Sequence, residues 1–163
     1  MRISELLIPI ALIAAFILTA ASGRVGPDSA YPPPGVAGDA DPLVTQDNIH
    51  KTICVDHYTT TVRAVSEATK KVVLKRDGQT KAGCCEVDHF LSLEIGGSNL
   101  PEKNLWSQPY QGKYGARVKD VVETQLHRMV CRTEDPMPLA VAQKCITSDW
   151  IACGYQIGAI KRP

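Results

Sequence analysis

The chain has 163 residues, enough for one domain and short of two comfortable ones. Its formal net charge of +1 gives bulk composition no vote for nucleic acid or for any strongly charged partner. It has six cysteines but no Cys-x-x-Cys, which argues against a zinc ribbon held by paired Cys-x-x-Cys motifs and against a thiol oxidoreductase.

Residues 1–21 carry Arg2, the apolar run LLIPIALIAAFIL and small residues from Thr19 onward, the pattern of a secretory signal peptide cleaved after Ala21 or Ser22. An uncleaved membrane anchor is the competing reading. Pro9 interrupts the run, which falls short of the ~20 apolar residues a span needs. Export to the periplasm or the medium, without stable membrane association after cleavage, is therefore expected. Residues 22–42 are rich in Gly, Pro, Ala and Asp and predict a flexible linker, so the domain is placed at 43–163.

Val44 to Lys51 suggests a short helix or irregular chain. Ile53 to Arg63 (ICVDHYTTTVR) is β-branched and aromatic and predicts a strand. Ser66 is a candidate N-cap for a helix ending at Arg76, and Asp77-Gly78 marks a turn. Between residues 63 and 81 the cations Arg63, Lys70, Lys71, Lys75, Arg76 and Lys81 face only Glu67 and Asp77. Such a basic segment suits a phosphate backbone, although a solvated face is the plainer reading.

The most informative stretch is Cys84 to Trp106, CCEVDHFLSLEIGGSNLPEKNLW. Glu86 to Phe90 predicts a short strand, Gly96-Gly97 the tip of a loop, and Leu105-Trp106 a second short strand entered just after Asn104. Phosphodiester hydrolysis needs a proton acceptor for the attacking water and charge relief at the leaving oxygen. A neutral imidazole, His89, suits the first task, and a divalent cation held by the Asp88 carboxylate suits the second. The Asn104 carbonyl is placed to hold the imidazole N–H. Neighbouring side chains on a strand point to opposite faces, so Asp88 and His89 share a site only where the strand ends or kinks. The structural check on this expectation is whether both open onto one accessible cleft beside Asn104. Asp56-His57 is a second Asp-His pair, without the Gly-Gly loop and Asn that follow the first.

Residues 108–112 predict a connection to a long helix, Tyr114 to Arg132, with Val118, Val121, Val122, Leu126, Met129 and Val130 on its core face. Arg117 and Lys119 are expected to point elsewhere and to join Arg63 as candidate phosphate contacts. Asp135-Pro-Met-Pro reads as a break before a second helix, Pro138 to Cys153, with Trp106 and Trp150 in the core.

Six cysteines in an exported chain predict disulfides at Cys54, Cys84, Cys85, Cys131, Cys145 and Cys153. Bridging the neighbours Cys84 and Cys85 would strain the peptide, and Cys145 and Cys153 on one straight helix would stand about 12 Å apart. The expected pairing is Cys54–Cys131, with Cys84 and Cys85 each taking one of Cys145 and Cys153.

The run EVDHFLSLEIGGSNLPEKNLW, with ICVDHYTTTVR upstream and ARVKDVVETQLHRMVC and AQKCITSDWIA downstream, resembles small secreted bacterial HNH endonuclease-type proteins over residues 52–155. The resemblance implies an α+β fold, a ββα-metal hairpin-plus-helix core with an added N-terminal strand and a C-terminal helix, stapled by disulfides. It implies Asp88 as metal ligand, His89 as general base, Asn104 as its orienting partner and Glu86 as a supporting acid. Where the pattern has a last His or Asn near the helix start, this chain has Gly115, leaving Gln111 and Asp120 as the nearby substitutes. The implied cofactor is a divalent ion, Mg²⁺ first and Mn²⁺, Ni²⁺ or Zn²⁺ as alternatives. The implied partner is nucleic acid, DNA ahead of RNA, cut by a monomer. The alternative is an HNH-like scaffold of the cell envelope that binds a partner without cutting it.

Overall fold

The computed structural model describes residues 29–162, so the signal-peptide expectation lies outside the described residues. The fold is α+β: among the described residues, a two-stranded antiparallel sheet and four α-helices, cross-linked by disulfides. A 3-10 helix, Gln46–Lys51, opens the domain, its entry held by Thr45 N–H donating to Asn48 Oδ1 at 2.9 Å. Helix α1 is Tyr58–Val62 and α2 is Glu67–Arg76. The Ser66 side chain caps α2 as its position in the sequence predicts, accepting from Thr69 N–H at 3.1 Å.

Strand β1, Cys85–His89, pairs with β2, Leu105–Pro109, in the register Glu86↔Gln108, Asp88↔Trp106 and His89↔Leu105. The intervening loop carries a 3-10 turn, Leu93–Ile95, and reverses at Gly96, whose φ of 79° only glycine adopts without cost. At Gly97 a β-carbon would run into the Leu91 carbonyl, so the close approach that shapes the loop needs a glycine there as well. Helix α3, Ala116–Cys131, packs against the hairpin with Val122, Leu126 and Val130 buried. Helix α4, Leu139–Gln156, covers α3 with Ala142, Ile146 and Trp150, and Trp106 and Trp150 are both core residues.

Several expectations are corrected. Ile53 to Arg63 is not a strand: residues 52–57 form turns and α1 follows. Strand propensity needs a neighbouring strand to act on, and here Cys54 is tied to the end of α3 by the Cys54–Cys131 disulfide. Residues 29–42, within the expected flexible linker, pack onto the domain. Trp150 Nε1 donates to Ala30 O at 2.7 Å, Gly38 N–H to Lys103 O at 2.9 Å and Asp41 N–H to Gly96 O at 2.8 Å, while Val36 enters the core. Val121, expected in the core, is 50% exposed. Cys54–Cys131 forms as expected, but the other two bridges are Cys84–Cys85 and Cys145–Cys153. The reason for the last lies in α4, which is interrupted at Asp149 (φ −164°, ψ 98°). That extended residue turns the chain enough to bring the two cysteine Cα atoms to 5.3 Å.

Candidate functional site

The ladder runs unbroken through His89, and Phe90 N–H still donates to Asn104 O at 2.7 Å. There is no strand end or kink between Asp88 and His89, and the two side chains find partners on different elements. Asp88 turns to Lys119 of α3, and His89 to Asn99 of the β1–β2 loop, which is itself bonded to Val62 at the end of α1. The expected single cleft beside Asn104 is not formed.

On the α3 side, Lys119 is the organising residue. It was expected to point away from the core, yet it is 0% exposed. Its ammonium donates to Asp88 Oδ2 at 2.7 Å, to the His89 carbonyl at 2.8 Å, and to Glu123 Oε1 one helical turn on. All three N–H donors are used, which is what keeps a buried ammonium tolerable. Burial alone would depress its pKa, but Asp88 and Glu123 together outweigh that and raise it. Glu123 is pushed up by its own burial, against the pull of Lys119 and with the help of Asp88. The Glu86 carboxyl is also held above its ordinary value, first by burial and then by repulsion from Asp88 and Asp120, with Arg117 and Arg63 opposing. Glu86, Asp88, Asp120, Arg63 and Arg117 therefore form one electrostatic neighbourhood.

On the other side, the His89 Nε2 lies 3.1 Å from Asn99 Oδ1. Asn99 is fixed by donating to Val62 O at 2.8 Å and accepting from Ala64 N–H at 3.2 Å, so its Oδ1 is an acceptor and Nε2 carries the proton. Nδ1 is then the basic nitrogen. The imidazole is only 2% exposed, and burial pulls its pKa down to about 4, so it is neutral at pH 7. Asn104 is not its partner. Asn104 accepts from Leu91 N–H at 2.8 Å and donates to the Leu91 and Ser98 carbonyls at 2.9 and 2.7 Å, pinning the loop closed.

Arg63 and Arg117 are exposed, the latter 3.2 Å from Asp120 and 6.0 Å from the Tyr110 ring centre. Gln111 is exposed in the turn before α3, outside every hydrogen bond of Asp88, His89 and Lys119. Asp56 and His57 stand on an exposed turn at a separate cleft of about 210 Å³ shared with Glu94 and His127. Among the described residues no three His, Cys, Asp or Glu side chains converge as a metal-ligand set, and no helix is long and apolar enough to cross a membrane.

Asn99 and Glu123 were not singled out from sequence. Glu123 had a signal, the Lys-Glu spacing of one helical turn; Asn99 had none beyond its place after Gly96-Gly97. No family model, curated protein or solved structure matches the chain.

Proposed function

We propose that the chain is an exported, divalent-metal-dependent endonuclease, with β1, β2 and α3 as an HNH-like ββα core. The observation that carries this is His89: a neutral imidazole locked by Asn99 into the Nε2–H form, next in the chain to a carboxylate clamped by Lys119. Nδ1 is the lone pair that takes the proton of the attacking water. A phosphodiester anion arriving nearby raises the imidazole's proton affinity from its depressed resting level, moving it toward the range where a base works at neutral pH. Arg63 and Arg117 draw in the phosphate backbone, DNA ahead of RNA.

Glu86 and Asp88 are the residues to hold the cation. The donor chemistry fits Mg²⁺ or Mn²⁺ better than Zn²⁺ or Ni²⁺: all oxygen, no free thiolate, and a repulsion at Glu86 that a cation relieves. Mg²⁺ commonly takes only one or two carboxylates and keeps its waters, so a three-carboxylate cage is not required. When bound, the ion supplies charge neutralisation at the departing oxygen. The disulfides and the absence of a membrane-crossing helix among the described residues are compatible with a secreted or periplasmic location.

A second reading, a scaffold that binds without cutting, is favoured by two facts: the 2% exposure of His89 leaves little room for a nucleophilic water, and Asp88 and His89 bond to different partners rather than opening onto one cleft. Cleavage of plasmid DNA and of RNA by the oxidised protein, with Mg²⁺, Mn²⁺, Ni²⁺ or Zn²⁺, separates the two. Nicking with Mg²⁺ or Mn²⁺ that drops about 100-fold in His89→Ala is the expected result. Cleavage with no ion, or activity untouched by His89→Ala, removes the proposed mechanism.

A further inference from the structure

The bridge that adjacency argued against, Cys84–Cys85, differs from the other two in what it does for the chain. Cys54–Cys131 joins residues at a sequence separation of 77, and Cys145–Cys153 at a separation of 8. A disulfide stabilises mainly by restricting the unfolded chain, and more so for longer loops. Cys84–Cys85, at a separation of 1, closes no loop of chain. Its opening therefore leaves the fold's cross-links in place.

Adjacency also makes this bridge the easiest to open. A peptide bond holds neighbouring Cα atoms about 3.8 Å apart, and here they stand 3.7 Å apart. Disulfides ordinarily span roughly 4.4–6.8 Å, and a bridge forced outside that range is more readily reduced. The other two, at 5.4 and 5.3 Å, lie within it. Cys84 and Cys85 are both half-buried and line a hollow of about 190 Å³ with Leu74, Gln79 and Lys81, so a small thiol has a way in. Lys81 brings positive charge to the hollow where one thiolate attacks and another leaves. Cys84 Sγ lies 3.3 Å from Gln79 Oε1. A disulfide sulfur has no proton to give and a thiol has one, so an acceptor already stands in place for the reduced form.

We propose that Cys84–Cys85 is an exchange site for low-molecular-weight thiols, opened and closed reversibly while the other two bridges stay intact. A thiolate bonds to Cys85 Sγ as the Cys84–Cys85 bond breaks. The electron pair leaves on Cys84 Sγ, which takes a proton from solvent and donates it to Gln79. A second thiolate then attacks the small thiol's sulfur in the mixed disulfide, and Cys85 leaves as a thiolate. Two small thiols are oxidised to their disulfide for each bridge reduced, and excess of that disulfide runs the exchange backward. The site stands at the root of the hairpin, where Cys85 pairs with Pro109 and Cys84 O accepts from Tyr110 N–H at 3.0 Å. It does not depend on the nuclease reading.

The test holds the oxidised full chain in glutathione buffers of stepped reduced-to-oxidised ratio, followed by acid quenching, alkylation and peptide mapping by mass spectrometry. The equilibrium constant for opening Cys84–Cys85 should exceed that of either other bridge by at least about tenfold, which is about 30 mV. The selectively opened protein should keep its native circular dichroism, and oxidised glutathione should close the bridge again. A smaller margin, or opening together with or after Cys54–Cys131 or Cys145–Cys153, overturns the assignment. So does opening that unfolds the domain or fails to reverse. Free thiols at Cys84 and Cys85 in the untreated protein overturn it as well.

Discussion

The two faces of the β1–β2 hairpin solve the same problem, a polar group removed from water, by different means. Toward α3 the solution is ionic: an ammonium clamped between Asp88 and Glu123, with Glu86 and an unpartnered Gln108 beside it. Toward α1 and α2 it is neutral: His89 gives up its charge, and Asn99 satisfies it while spending its own remaining bonds on backbone. Charge is retained on one face at Asp88 and discarded on the other at its immediate neighbour His89.

The ionic face should be the more fragile to truncation. Lys119→Met leaves two buried carboxylates without their counter-ion, and removing one partner of a buried pair costs about 3–5 kcal/mol. Urea unfolding at pH 8 should show a loss of that size. The deficit should shrink as the pH falls, because Glu123, whose pKa burial already raises, takes up a proton and ceases to be an orphan charge. A loss under about 1 kcal/mol, the range of exposed ion pairs, would place Lys119 in solvent and dissolve the contrast between the faces.

The neutral face should respond to acid in its own way. His89 has a folded pKa of about 4 against 6.5 unfolded, so between those values the unfolded chain binds the extra proton. Stability should be fully present above pH 6.5 and fall as the pH drops toward 4, by about 3 kcal/mol from this group. Glu86 and Glu123 have raised values and act in the opposite sense, since the folded state takes up protons there as the pH falls. The clean measurement is therefore the native protein minus His89→Gln, whose amide keeps a donor for Asn99 and does not titrate. A pH-independent difference would mean that His89 charges freely where it stands.

Much of this frame was legible in the chain. Ser66 and Asp77-Gly78 bracket α2 by their own chemistry, and the spacing of Val122, Leu126 and Val130 marks the face of α3 that is buried. Gly96-Gly97 read correctly as the tip of the loop, but Asn104, expected to orient His89, instead pins that loop through Leu91 and Ser98. What stayed hidden was long-range. Asn99 is fixed by Val62, 37 residues earlier, and Lys119 meets Asp88 from 31 residues away. No local pattern reports such meetings, and helical spacing alone left Lys119 pointing at solvent. The break in α4 at Asp149 was equally silent: a straight helix was the simplest reading of an unbroken apolar stripe, and it forced the wrong pairing on Cys145 and Cys153.

The smallest effect on stability, and the most direct check on what the ionic face is for, belongs to its rim. Arg63 and Arg117 are exposed, and their influence reaches Glu86 without burying either guanidinium. The double variant Arg63→Gln/Arg117→Gln should unfold at the native urea midpoint, because exposed charges of this kind contribute little to folding. Its binding to a duplex should weaken evenly across sequences. The slope of log affinity against log salt should fall by about one for each arginine that meets a phosphate. Fluorescence anisotropy from 50 to 200 mM salt measures that slope directly. An unchanged slope would mean that the guanidiniums serve only to offset Asp120 and Glu86, leaving a carboxylate-lined face with no attraction for a polyanion. Glu86 and Asp88 would then serve some other task than cutting nucleic acid.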